Sequence, residues 1–233
     1  MNIHIFYLHY NIISTDNKNR PAWFDYEKCF INLLNTIKGK SNIKLHIMMD
    51  GEINKNWIAK YREYYTFTEF NGGSMESVTK NLHNTIRNYP CAKDDLIYSL
   101  ENDYLHLEGW SDKVIELYTT YGESLSYVSL YDHNDKYFAS MYDSLASKIV
   151  TTNSQHWRTT PSTCGSYITT KKIIDEDYDD QTGVTTPIGD HHKWLFLTET
   201  KSRFIITPIP GLSTHCMEGL ESPTIDWSKI NQI

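Results

Sequence analysis

Several features are scarce in this 233-residue chain, and each scarcity removes a class of function. No run of about 18 apolar residues occurs, so no membrane-spanning helix is expected. Cations are outnumbered, with 22 Lys and Arg against 29 Asp and Glu and a net charge of −7. A nucleic-acid groove shows the opposite balance with clustered Lys and Arg, so no nucleic-acid partner is expected. Cys29, Cys91, Cys164 and Cys216 stand far apart and form no C-x-x-C pair. They suit reduced thiols in a cytosol-like compartment better than a zinc cluster or a disulfide frame. The opening stretch, Met1 to Leu8, lacks the ordered charged, apolar and small-residue regions of a secretory leader and reads as a first strand, which points to a cytoplasmic location. No internal repeat is found, and no stretch is rich enough in Pro, Gly or Ser to act as a linker. A single domain over 1–233 is therefore expected.

What is present is alternation. Ile3 to Leu8 is a short apolar run that reads as a buried strand with the polar exit His9-Tyr10-Asn11, and Asn11 to Arg20 reads as a loop. Pro21 then opens a helix on which Trp23, Tyr26, Phe30, Leu33 and Ile37 recur at three- and four-residue steps, with Gly39 just past its end. Leu45 to Met49 is the next strand, closed by the turn signal Asp50-Gly51. A short helix over Asn54 to Tyr61 and a strand over Tyr65 to Glu69 follow, broken at Asn71-Gly72-Gly73. Ser74 caps a helix whose apolar stripe is Met75, Val78, Leu82 and Ile86. Leu96 to Leu100 is another buried strand, and Trp110, Val114, Leu117 and Tyr121 mark another helix.

Strand and helix in turn, with connections too long for hairpins, predict an α/β fold with a mostly parallel central sheet flanked by helices. Ligands of such sheets bind beyond the carboxyl ends of the strands. His9-Tyr10-Asn11, Asp50-Gly51 and Glu101-Asn102-Asp103 all stand at such ends.

The second half is less regular. Tyr127 to Leu130 and Lys148 to Thr152 read as strands, and Gln155 to Ser166 as a polar segment with breakers. Tyr167 to Thr169 leads into a short helix from about Lys171, and the acidic run Asp175 to Asp180 reads as solvated surface. Gly189-Asp190 caps a helix through Leu197 that carries His191, His192 and Lys193 in its first turn. Phe204 to Ile206 is a last strand, and the tail from Thr207 to Met217 is held extended by its prolines.

Glu101 and Asp103 give the sharpest chemical signal. On a strand, residues two apart point to the same side. Two hard oxygen ligands held that close suit Mg²⁺ or Mn²⁺, with coordination positions left for phosphate oxygens. An acidic loop after a strand is the plain alternative.

Taken together, this order of motifs resembles the GT-A-fold glycosyltransferases, most nearly the family-2-like and small viral or bacterial kinds. The residues that carry the resemblance are Ile3 to Leu8, Asp50-Gly51, Leu96 to Asp103, Thr163-Cys164-Gly165-Ser166-Tyr167, Gly189-Asp190-His191-His192 and Ser213-Thr214-His215. It implies a GT-A-like, Rossmann-related sheet, with a nucleotide-binding half over 1–123. The acceptor-side half over 124–233 would hold a small mixed subregion and the tail. The activity implied is metal-dependent transfer of a sugar from a nucleoside diphosphate, UDP foremost, to a glycan or other hydroxyl acceptor.

Residue roles follow from the same resemblance. The family's metal motif is D-x-D, and Glu101 departs from it, which leaves Asp103 as the firmer ligand. His215 is expected to complete the shell around Mn²⁺ or Mg²⁺; a loop histidine without that role is its alternative. Asp190 matches the general base of an inverting enzyme, with helix capping as its other role and His191 or His192 as substitutes. His9 and Tyr10 would meet the nucleobase, with rim packing as the alternative for Tyr10, and Asp50 the base or ribose. Asn102 would reach the donor, as would Lys80 and Asn81, for which a solvated helix face is the alternative, and Gly165 would bring bare backbone close to donor or acceptor. Trp157 is either a sugar platform or core. Two rivals stand beside this reading. A metal-dependent nucleotidyltransferase is disfavoured because no glycine follows the first strand in His9 to Ser14. A catalytically silent nucleotide-sugar-binding protein is allowed by the Glu101 departure.

Overall fold

The structure is a computed structural model that describes residues 1–11, 18–185 and 189–230, with residue 123 described for its backbone alone. Positions 12–17 of the expected loop between Asn11 and Arg20 lie outside the described residues. Strand β1 (Ile3–Tyr10) is the centre of the first half. It pairs in parallel with β2 (Ile43–Asp50) on one edge and with β4 (Leu96–Glu101) on the other. The strand β3 (Thr66–Phe70) extends the sheet beyond β2, again in parallel. A strand flanked on both edges and covered on both faces must be apolar almost throughout, which is why Ile3 to Leu8 shows no polar alternation.

Beyond β4 the sheet turns mixed. It takes in β6 (Tyr127–Val128), β7 (Ile149–Thr151), β8 (His156–Thr160), β9 (Tyr167–Thr170) and β10 (Ile205–Ile209), giving nine strands in the order β3-β2-β1-β4-β9-β6-β10-β8-β7. The strand β9 runs antiparallel to both β4 and β6, whereas β10 is parallel to β6. Helices cover both faces. On one side α1 (Tyr26–Ile37) and α3 (Trp110–Tyr121) bury Phe30, Leu33, Trp110, Val114 and Leu117 against Ile3, Ile5 and Tyr7. Opposite them, α2 (Met75–Asn88) and α6 (Asp190–Glu199) bury Leu82, Ile86, Trp194 and Leu197 against Phe6 and Met48. Between these two come α4 (Lys171–Glu176) and α5 (Tyr178–Gln181) in the chain.

Local signals set several boundaries. The Asp25 carboxylate accepts the Lys28 N–H at 2.9 Å, so α1 starts behind Asp25 rather than at Pro21. Ser74 caps α2 as expected, although Met75 is 72% exposed and leaves the buried stripe to Leu82 and Ile86. The segment Gln155 to Ser166 opens as a strand, β8, in which Trp157 is wholly buried core and offers no face to a sugar.

The acidic run is not solvated surface throughout. Asp177 is fully buried, accepts the Tyr127 hydroxyl at 2.8 Å and pairs with Lys201 and Arg203. Those cations lie 24 and 26 residues downstream, outside any local window. The tail also differs from expectation. After β10 it folds back as β11 (Ser213–His215), antiparallel to β5 (Tyr104–His106), with His215 opposite Tyr104.

Four histidines, His9, His83, His106 and His133, are built into the core uncharged. Burial lowers His9 and His83 to about 4 and His106 to about 3. In the unfolded chain the same groups bind protons near pH 6.5, so between roughly pH 4 and 6.5 the unfolded state holds more protons. Their contribution to stability is whole above about pH 6.5 and is lost as pH falls toward 4. Urea midpoints are expected to fall across that window with net proton uptake on unfolding. Midpoints that stay level from pH 7 to 4.5 would contradict it.

Candidate active site

Parallel register places the strand exits along one rim, with Tyr10 opposite Asp50 and Leu8 opposite Glu101. Asp50 Oδ1 accepts the Gly72 N–H at 2.8 Å. A Cβ on Gly72 would fall 2.5 Å from Asp50 Oδ2 and 2.4 Å from Val78, so only glycine permits this approach. A hollow of about 300 Å³ opens here, lined in part by Tyr10, Asp50, Ser74 and Val78. Tyr10 is 45% exposed and free to offer its ring.

His9 lines the same hollow and is held in the rim. Its ring lies between Tyr7 and Trp57, its Nε2 bonds Asn56 at 3.0 Å, and Asn102 Nδ2 reaches its Nδ1 at 3.4 Å. With both nitrogens engaged, His9 braces the rim, and it also lines the hollow beside Tyr10 and Asp50. Asn102 is part of that brace, its carbonyl accepting the Tyr7 hydroxyl at 3.3 Å.

The two acids separate. The strand β4 ends at Glu101, and Asn102-Asp103 form the turn into β5, so the period of two no longer fixes where Asp103 points. Asp103 is 1% exposed. Its Oδ2 meets Lys18 Nζ at 2.8 Å, Arg20 Nη2 at 2.9 Å and His215 Nε2 at 3.0 Å. Burial would raise this carboxyl, but contacts with His215 and Lys18 outweigh it and hold the group well below the ordinary carboxylate range. Its other oxygen, Oδ1, is buried without a hydrogen-bond partner among the described residues.

Glu101 is shifted the other way, raised by burial and then by the charge of Asp103. Its carboxylate faces Gly165 and Ser166. Ser166 Oγ donates to Glu101 Oε2 at 3.4 Å, and a Cβ on Gly165 would lie 3.1 Å from the same carboxyl carbon. Bare backbone at 165 thus serves Glu101 directly.

Glu101, Asp190 and Lys193 line a second cavity of about 120 Å³. Gly189 is the residue before α6, and its φ of +153 is a conformation that suits glycine. Asp190 is the first helical residue, not the cap, and no side-chain capping bond forms. The helix N-terminus favours its negative charge. Its half-exposed carboxylate stands 3.8 Å from the buried Lys193 ammonium. His191 and His192 point to solvent and do not line the cavity. Nor does Lys80, which pairs with Glu76 on the outer face of α2 near Asn81. The inner face of that helix gives Val78, Thr79, Leu82 and His83 to the cavity.

His215 is brought to Asp103 by the β5–β11 pairing. The Tyr104 ring stacks on it at 5.0 Å, and the Cys216 N–H bonds the Asp103 carbonyl at 2.9 Å. Lys18, Arg20 and Lys193 are the charged groups that sequence reasoning did not assign. The first two sit in an aperiodic polar stretch with no spacing that ties them to residue 103.

Among the described residues no group of three or more His, Cys, Asp or Glu is gathered closely enough to hold a metal ion. Of the expected set, Asp103 and His215 meet, while Glu101 turns to the cavity. A divalent ion that shares its shell with phosphates needs only one or two protein ligands. Asp103 Oδ1, without a partner among the described residues, on a carboxylate whose Oδ2 meets His215, fits that smaller set.

No protein-family model and no curated protein matches the chain. Solved structures do resemble it. Residues 1–349 of S. aureus TarS superpose with a TM-score of 0.53 at 11% identity, over 89% of this chain and 58% of that one. CMP:2-keto-3-deoxy-manno-octonic acid synthetase, complexed with CTP, gives 0.52 at 11% identity over 91% and 92%. The chain thus spans little more than half of the TarS fragment. The fold is GT-A-like: a large, mostly parallel sheet flanked by helices.

Proposed function

We propose that the chain is a glycosyltransferase that takes a sugar from a nucleoside diphosphate, UDP foremost, and passes it to a hydroxyl acceptor with the help of Mn²⁺ or Mg²⁺. One observation carries the reading: the hollow at Tyr10 and Asp50 and the cavity at Glu101 and Asp190 share Leu8 and Val78 as a common wall. One elongated ligand, base at one end and sugar at the other, suits that pair of spaces.

Tyr10 and Asp50 would take the nucleoside, by stacking and by hydrogen bonding to base or ribose. Asp103 and His215 would hold the cation, which when bound supplies Lewis-acid stabilisation of the departing diphosphate. Because its neighbours keep Asp103 ionised, the anionic ligand is ready without loss of a proton. Asp190 would take the proton of the acceptor hydroxyl, and Lys193 beside it would orient the carboxylate. Glu101, fixed by Ser166 at the cavity wall, would hydrogen-bond the transferred sugar.

The test is a donor screen with Mn²⁺ present, read by mass detection of nucleotide release. UDP and free sugar formed from a UDP-sugar, and lost on chelation, is the expected result. Pyrophosphate released from a nucleoside triphosphate would replace this reading with nucleotidyl transfer. Metal-dependent UDP binding without turnover would replace it with a silent binder.

A further inference from the structure

We infer that Lys193 sets the choice of donor: its buried ammonium donates to a hydroxyl of the transferred sugar, and that sugar carries no charge. The inference deepens the glycosyltransferase reading and rests on it. Lys193 is 7% exposed and lines the cavity of about 120 Å³ together with Glu101 and Asp190. Among the described residues its one ion pair is with Asp190 at 3.8 Å, too long for a hydrogen bond. The ring centres of Trp194 and Tyr167 stand 4.9 and 5.7 Å from the ammonium. They ease its charge and give no oxygen to its N–H groups. Burial lowers the pKa of this lysine, against the pull of Asp190 and Glu101. An ammonium has three donors, and donors left unmet in a buried place cost free energy. A ligand in the cavity can meet them.

The rest of the wall fixes the kind of group that completes it. His83 Nδ1 meets the Thr79 carbonyl at 2.8 Å and its Nε2 the Tyr167 hydroxyl at 2.9 Å. Ser99 Oγ donates to the Gly165 carbonyl at 3.0 Å. Acceptor capacity remains on Glu101, which Ser166 meets at a long 3.4 Å. It remains also on Gln181, whose Oε1 is buried without a partner among the described residues. A hydroxyl suits this pairing, since it accepts from an ammonium and donates to a carbonyl or carboxylate at once. Charge disfavours an acidic sugar. The cavity already sets two carboxyl groups against one ammonium, and a sugar carboxylate would add a third. Neither Asp103 nor His215 lines this cavity, so the ammonium is placed for the sugar and not for the diphosphate. Sites that hydrogen-bond a substrate hydroxyl reject analogues that leave the buried group unmet.

The experiment is calorimetric titration of the full chain, with Mn²⁺ present and no acceptor. The probes are UDP, UDP-glucose, UDP-galactose, UDP-N-acetylglucosamine and UDP-glucuronate. The unaltered chain is expected to bind one of the three neutral donors at least tenfold more tightly than UDP-glucuronate. Lys193→Met is expected to bind UDP within about twofold of wild type. It should bind the preferred neutral donor about tenfold to a hundredfold more weakly, the size of a lost hydrogen bond to a charged group. The same loss between Asp190→Asn and Asp190→Asn/Lys193→Met separates contact with the sugar from action through Asp190. A loss that vanishes in that background would make Lys193 a positioning residue and overturn the inference. UDP and donor weakened alike, donor binding unchanged, or UDP-glucuronate bound as tightly as the neutral donors would overturn it too. The comparison of donors on the unaltered chain does not depend on Lys193→Met folding. No binding of any UDP-sugar by the unaltered chain would instead remove the reading beneath, and the inference with it.

Discussion

Asp103→Asn should abolish sugar transfer and remove the Mn²⁺-dependent part of UDP binding. The substitution keeps the shape of the side chain and deletes one anionic oxygen, the one that meets Lys18, Arg20 and His215 or the one without a partner among the described residues. Loss of the cation withdraws several kcal/mol of leaving-group stabilisation. At about 1.4 kcal/mol per tenfold, transfer should fall roughly a thousandfold or more. The fold will feel the change as well. Removing one partner of a buried ion pair costs about 3 kcal/mol at the low end, and the low end applies because Lys18 is 41% exposed and can turn to water. Near-UV circular dichroism separates a folded, inactive chain from an unfolded one. A folded Asp103→Asn chain with normal activity would sink the assignment.

Asp190→Asn should slow transfer by about a hundredfold to ten-thousandfold, the range for loss of a general base, with donor affinity within about twofold of wild type. Stability should hardly move, because Asp190 is half exposed and makes no capping bond. Steady-state kinetics against donor and acceptor, with UDP binding measured separately, reads both halves of the expectation. A variant that turns over like the wild type would exclude the base role. One that fails to bind UDP would move Asp190 from proton transfer to donor binding.

How much of this was legible beforehand differs residue by residue. Ile3 to Leu8 and Leu96 to Leu100 announced themselves because a strand buried on both faces has a continuous apolar run. Ser74 was legible because a cap acts on an N–H three residues away. The separation of Glu101 from Asp103 was hidden: periodicity presumes that the strand continues, and here β4 stops at Glu101. For Lys80 a donor contact and a solvated helix face stood side by side, because helix-face assignment needs the position of the sheet, and α2 carries Lys80 on an exposed face paired with Glu76. Asp177 looked solvated because its neighbours in sequence are acidic, while its neighbours in space are Arg203, Lys201 and Tyr127.

The sequence by itself determined the α/β plan, the order of strands and helices in the first half, and the rim on which Tyr10, Asp50 and the acidic tripeptide stand. Those follow from burial patterns and caps, which act over a few residues. Only the tertiary structure decided what each rim carboxylate faces. Asp103 meets Lys18 across 85 residues and His215 across 112, and Glu101 meets Ser166 across 65. A charge pair has no period along the chain. Its partner is selected by which strand lies alongside which, and here the pairing of β5 with β11 made that choice.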